Sequence, residues 1–160
     1  MNHNPSVFTI NDNYYTPREA WEDISHLIPA NKIIYEGFVG SSSSGLYLDD
    51  ILPNQVIYDK EVNFFNNNFN YDVLVSNPPF SLAKEILKHL KQLNKPFILL
   101  LPVSRICTQY MRRLFKDELQ IIIPKKRINF IADDQRKKYC NFDCFWYCYG
   151  IDMPSDIVWL

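Results

Sequence analysis

The chain has 160 residues and a mass of 19.0 kDa, enough for one hydrophobic core and too little for two. Hydrophobic residues make up 47% and aromatic residues 15%, which suits a packed globule, and no apolar run is long enough to span a membrane. The formal net charge of −1 hides a division, since residues 1–60 carry three basic side chains against eight acidic ones while residues 101–150 carry ten basic against five acidic.

In chain order, the amino terminus offers neither a basic nor an apolar leader region. The protein is therefore expected inside the cell, in the cytoplasm or in a nucleus or viral factory, and not secreted. After a polar stretch over residues 1–13, Thr16 reads as an N-cap with Pro17 in the first turn and Glu19 three residues on. Ala20, Trp21, Ile24, Leu27 and Ile28 then share one helical face until Pro29. Residues 32–35 read as the first strand, opening into a Gly/Ser-rich turn from Glu36 to Gly45, the kind of strand-to-helix turn that lets main chain approach a nucleoside. Residues 55–59 form a second strand ending in Asp59, and a carboxylate there can accept from both hydroxyls of a ribose. The connection over residues 60–71 is too short for a helix and a strand with loops, so the third strand of such a fold is expected to be vestigial.

Residues 73–76 then read as a buried parallel strand, and residues 81–93 as an amphipathic surface helix. A buried strand over 96–102, a helix over 108–115, strands over 119–123 and 128–131, and a last pair over 142–149 and 156–160 complete the chain. Strands alternating with helices predict a doubly wound, mostly parallel α/β sheet, and late strands without a helix between them predict a closing antiparallel hairpin or meander. Residues 1–160 are expected to form one domain, with no separate target-recognition domain.

Between the central strand and its helix stands Asn77-Pro78-Pro79-Phe80. Two prolines cannot extend a sheet, so the strand ends there and presents its last residues at the carboxyl edge, where open α/β sheets bind ligands. An amide oxygen, a rigid carbonyl and an aromatic ring suit a flat base with an exocyclic amine. Such an amine is a poor nucleophile because its lone pair is delocalised, and two acceptors out of the ring plane favour the pyramidal nitrogen that attacks.

Asn-Pro-Pro-Phe after a hydrophobic strand resembles the catalytic motif of S-adenosylmethionine-dependent adenine-N6 methyltransferases, with likeness to small phage-type DNA enzymes along nearly the whole chain. The resemblance implies a Rossmann-like methyltransferase fold and S-adenosylmethionine as cofactor. It also implies that Asn77 Oδ1 and the Pro78 carbonyl accept from the target amine, on the turn made by Pro79, while Phe80 stacks on the base. Tyr15-Thr16-Pro17 is similar to the family's Tyr-x-Thr-Pro segment, which meets the methionine end of the cofactor. Glu36, Phe38 and Gly40 match the acidic-x-Phe-x-Gly-x-Gly motif, with Gly37 where a proline is common and Ser42 in place of the second glycine. Asp59 is expected on the ribose, and Asn63 with Phe64 or Phe65 at the adenine.

The basic clusters Arg112-Arg113, Lys125-Lys126-Arg127 and Arg136-Lys137-Lys138, with Arg105, are expected to face a polyanion, DNA more than RNA, and no membrane. Little chain is left for reading base context, which falls to the loops over 105–113 and 133–141 or to a second copy or partner subunit. Cys140, Cys144 and Cys148 are four residues apart, roughly 13 Å along a strand, so neighbours in this series cannot share one ion. They read as buried free thiols, and no metal site is expected. Rival readings are an RNA adenosine-N6 enzyme, a protein glutamine methyltransferase, and a catalytically silent module that binds nucleic acid or pairs with an active subunit.

Overall fold

The computed structural model describes residues 14–131 and 141–160, with the main chain alone of residues 137–138. Its parallel strands are short apolar runs: β1 (Ile34–Glu36), β2 (Val56–Tyr58), β3 (Val73–Ser76) and β4 (Phe97–Pro102). Then come β5 (Leu119–Ile123), β6 (Phe130–Ile131), β7 (Lys137–Lys138), β8 (Cys144–Tyr149) and β9 (Ile157–Trp159). The helices are α1 (Arg18–Ile24), α2 (Ser44–Ile51), α3 (Ala83–Leu93) and α4 (Gln109–Phe115). Seven strands form one sheet in the order β2-β1-β3-β4-β8-β5-β9, while β6 and β7 pair as a separate antiparallel hairpin.

Strands β1 to β4 run parallel to one another, so the doubly wound α/β class expected from the alternation of elements is the one observed. The antiparallel part is arranged differently from a closing hairpin. Strand β8 enters between β4 and β5 and is antiparallel to both, and β9 lies beyond β5, parallel to it. Burial explains the placement: Cys144, Trp146, Tyr147 and Cys148 of β8 are all buried, as a central strand requires, whereas Ile157 and Trp159 of β9 are 53% and 75% exposed. The expected vestigial third strand is a 3-10 turn, Phe64–Asn66, between β2 and β3.

Every residue of β3 and β4 is buried, because helices cover both faces of a parallel sheet. Helix α1 lays Ala20, Trp21 and Ile24 against it, with the Trp21 ring 5.2 Å from that of Trp146. Helix α3 buries Ala83, Ile86, Leu87 and Leu90 and stops at Asn94, whose left-handed backbone (φ 51°) turns its amide back onto the Leu90 and Lys91 carbonyls. Helix α2 approaches β2 closely, since a Cβ on Gly45 would lie 2.4 Å from Tyr58 Cγ.

Thr16 does not cap α1. Pro17 takes the cap position, no side chain caps the helix, and Thr16 Oγ1 is buried without a hydrogen-bond partner. The cause is the path of the chain: Tyr15 exchanges two main-chain hydrogen bonds with Ile131 (3.1 and 2.8 Å), which holds residues 14–16 as a strap alongside β6 before the helix begins.

Candidate active site

The two prolines end β3 after Ser76, and a 3-10 turn, Phe80–Leu82, leads into α3. Pro78, Pro79 and Phe80 are buried and Asn77 is half-buried. The strap passes over this turn. Asn77 Nδ2 donates to the Tyr14 carbonyl at 2.6 Å, and Asn77 Oδ1 is buried with no partner. Phe80 is 7% exposed, and the Tyr14 ring stacks on it at 5.5 Å and 23° between planes. Phe142 and Phe130 meet Phe80 edge-on at 5.7 and 6.3 Å. Four rings, from the strap, the motif, β6 and the segment before β8, thus cluster around Phe80 beside Asn77. Sequence reading missed Tyr14, Phe130 and Phe142; the one signal was that Tyr14 adjoins the Tyr-Thr-Pro segment.

Arg105, from the turn that follows β4, reaches the same place. Its Nη2 donates to the Phe80 carbonyl at 3.2 Å, and its Nε is buried without a partner. Of the other expected nucleic-acid contacts, Arg112, Arg113, Lys125 and Lys126 are exposed. Arg127 is exposed too but holds Asp143 with two hydrogen bonds (2.7 and 3.0 Å), which keeps that carboxyl below its usual pKa. Arg136, the side chains of Lys137 and Lys138, and Cys140 lie outside the described residues.

Of the expected cofactor residues, Glu36, Phe38 and Gly40 lie at or just after the end of β1, and Asp59, Asn63 and Phe64 follow β2. Glu36 is 1% exposed, with Oε1 accepting from the Phe38 amide (2.9 Å) and from Ser76 Oγ, so it braces the turn from within instead of facing solvent. Gly40 is exposed, in left-handed conformation (φ +52°) with open space beside it. Ser42 replaces the second glycine without backbone strain, because among the described residues Asn94 is the one non-glycine with positive φ. Its hydroxyl ties the turn to the Val39 carbonyl (2.7 Å) and Ser44 Oγ (2.8 Å). Asp59 is exposed just after β2, with Oδ1 accepting from the Glu61 amide (2.9 Å). Asn63 caps the 3-10 turn through Oδ1. Phe64 is buried against Phe38 (4.6 Å), so of the two candidate stacking rings Phe65, 37% exposed and 5.3 Å from His89, is the one that faces outward. Tyr15 is half-buried on the strap and Pro17 is buried at its end.

Burial raises the Glu36 pKa to about 7, against the hydrogen bonds from Ser76, Phe38 and Ser44 that favour its charged form. A carboxyl with a raised folded-state pKa contributes stability that is fully present below about pH 4.5 and lost as pH rises towards 7. Glu36→Gln is neutral at every pH, so its stability relative to wild type is expected to climb across that interval by on the order of 3 kcal/mol and then level off. Urea denaturation of both proteins from pH 4.5 to 8 measures this, and a pH-independent difference would refute it.

Among the described residues no group of three or more His, Cys, Asp or Glu side chains is placed to hold a metal ion, and no helix is long and apolar enough to cross a membrane. Cys144 and Cys148 are buried, and Cys107 is exposed.

The chain matches no family model and no curated protein. Among solved structures it resembles a candidate class I S-adenosylmethionine-dependent methyltransferase from Listeria monocytogenes, with a TM-score of 0.51 and 12% identity. The match covers 92% of this chain and 65% of that protein's length. Together with the sheet order, it places the chain in the Rossmann-like methyltransferase fold.

Proposed function

We infer that the chain is an S-adenosylmethionine-dependent methyltransferase that modifies the exocyclic N6 amine of adenine in DNA. The observation that carries this reading is the Asn77 amide: a buried acceptor without a partner, on a rigid Pro-Pro turn at the carboxyl edge of β3. A lone buried acceptor is costly unless something arrives to donate to it, and an exocyclic amine does so. Asn77 Oδ1 and the Pro78 carbonyl would hold the amine out of the ring plane, directing its lone pair at the donor carbon. The turn's rigidity matters because positioning carries most of the rate. Phe80 would stack on the base, which must part the Tyr14 ring from it. A duplex substrate would have to flip its adenine out to reach this depth.

The residues present fit the cofactor. Gly40 leaves an open side for close approach of main chain, Thr16 Oγ1 is buried and unpartnered at the strap, and Asp59 and Phe65 are exposed where a ribose and an adenine would lie. S-adenosylmethionine would supply an activated methyl on a sulfonium, already a good leaving group. Arg105 and the exposed Arg112, Arg113, Lys125 and Lys126 would meet the phosphates, with a second copy or partner subunit adding target recognition.

Calorimetry with S-adenosylmethionine, followed by methylation of DNA and RNA oligonucleotides of one sequence, tests the reading. Absence of cofactor binding defeats it, and preferred methylation of the RNA moves the substrate to RNA. Asp59→Ala is expected to weaken the cofactor by roughly 10- to 100-fold, the loss of a charge-assisted hydrogen bond of about 1.5–3 kcal/mol, with turnover at saturation little changed. An unaltered dissociation constant would mean that the ribose is held elsewhere.

A further inference from the structure

We propose that Tyr14 is a positioning residue whose main-chain carbonyl locks the Asn77 side chain, so that position 77 requires a group able to donate on one side and accept on the other. This rests on the methyltransferase reading. A carbonyl oxygen has no proton to give, so the Asn77 atom 2.6 Å from Tyr14 O must be the amide nitrogen, and Oδ1 is thereby turned to the opposite side, where it is buried and unpartnered. The strap that delivers the carbonyl is itself held at both ends of the contact. Tyr15 is paired with Ile131 through two main-chain hydrogen bonds, which a base entering against Phe80 need not break, and before it enters the Tyr14 ring packs on Phe80, Phe130 and Phe142 at 5.5 Å each.

The lock distinguishes Asn from Asp, which a bare acceptor would not. An ionised carboxylate in place of Asn77 would set an oxygen against Tyr14 O, with no proton between them, in a buried position. Both effects raise the carboxyl's pKa. Once protonated, the same group donates its O–H to Tyr14 O and presents its carbonyl oxygen as the acceptor, reproducing the amide. Among the described residues, the titratable groups near it are the Tyr14 phenol on the strap, Glu36 on β1 behind Ser76, and Arg105 on the turn after β4, whose guanidinium is bonded to the Phe80 carbonyl. Glu36 titrates in both proteins, so the measured quantity is the difference between variant and wild type.

The experiment compares the full-length wild type with Asn77→Asp and Asn77→Ala from pH 5 to 8, in thermal unfolding and in methyl transfer to an adenine-containing oligonucleotide. For Asn77→Asp, the melting temperature is expected to fall progressively below that of wild type as pH rises. Turnover is expected to be highest at the acid end and to drop by about 10-fold or more by pH 8 relative to wild type, as the productive protonated form is depleted. Asn77→Ala should be flat and low throughout. A stability difference that does not change with pH overturns the lock. Asn77→Asp with wild-type turnover and pH profile, or as inactive as Asn77→Ala at every pH, overturns the positioning role. If wild type transfers no methyl group at all, the function fails instead, and the lock is decided by the stability difference alone. Should Asn77→Asp not fold, exchange of the Asn77 side-chain amide protons in wild type decides the matter. Slow exchange supports the lock, and exchange at the rate of a free amide overturns it.

Discussion

Asn77→Ala is expected to bind S-adenosylmethionine as wild type does and to lose methyl transfer by on the order of 100-fold or more. The substitution removes Oδ1, the buried acceptor proposed to meet the target amine, and leaves the turn after β1 and Asp59 in place. A contact to the reacting centre strengthens as the nitrogen becomes pyramidal, so its loss falls on turnover more than on substrate affinity. The substitution also frees Tyr14 O from its partner, and the strap should loosen slightly. Single-turnover kinetics at saturating cofactor, with calorimetry beside it, measures both halves. Turnover within a few-fold of wild type would sink the assignment of Asn77, and a matching loss of cofactor affinity would place the side chain in the cofactor site.

Trp146→Ala is expected to lower the unfolding free energy by about 3–5 kcal/mol, a large part of the 5–15 kcal/mol a domain of this size ordinarily has. Trp146 is 1% exposed on β8, in register with Leu100 of β4 on one side and Ile122 of β5 on the other, and its ring meets Trp21 of α1. Truncation would open a cavity where three elements meet, and the flanking strands are too constrained by their ladders to collapse into it. Urea denaturation checks this, and a loss under about 1 kcal/mol would show that the site closes up after all. Trp146→Phe should cost less, because most of the volume is kept.

Much of this architecture was legible because short-range rules coincided with long-range ones. The run Val73-Leu74-Val75-Ser76 before two prolines has one outcome, a buried strand that must stop, and β3 is that strand. The spacing of Ile86, Leu87 and Leu90 and the absence of a strand-length segment after Asp59 were decided locally as well. The sheet position of β8 was not legible. Its apolar residues mark it as buried, but nothing in their order says that it inserts between two strands far earlier in the chain. Thr16 misled for the same reason: Thr-Pro-Arg-Glu satisfies a local capping rule, and the rule lost to the pairing of the preceding residue, Tyr15, with the distant Ile131. At the candidate site, the motif singled out Asn77 and Phe80 but gave no sign of what covers them. Tyr14, Phe130 and Phe142 come from segments that meet only in three dimensions.

The insertion of β8 also sets the order in which the molecule can be assembled as it is synthesised. Strands β4 and β5 follow one another along the chain but never touch as neighbours, and the gap between them is filled by residues 144–149. A nascent chain that has passed Ile123 therefore carries unpaired edges on both β4 and β5, at Leu99, Leu100, Ile121 and Ile122, with the partner strand β8 not yet made. Such edges invite pairing with other chains. Productive folding must wait for a strand of high sequence separation, a contact pattern associated with slow rates. A chain synthesised only as far as β5 is thus the form most in need of a chaperone.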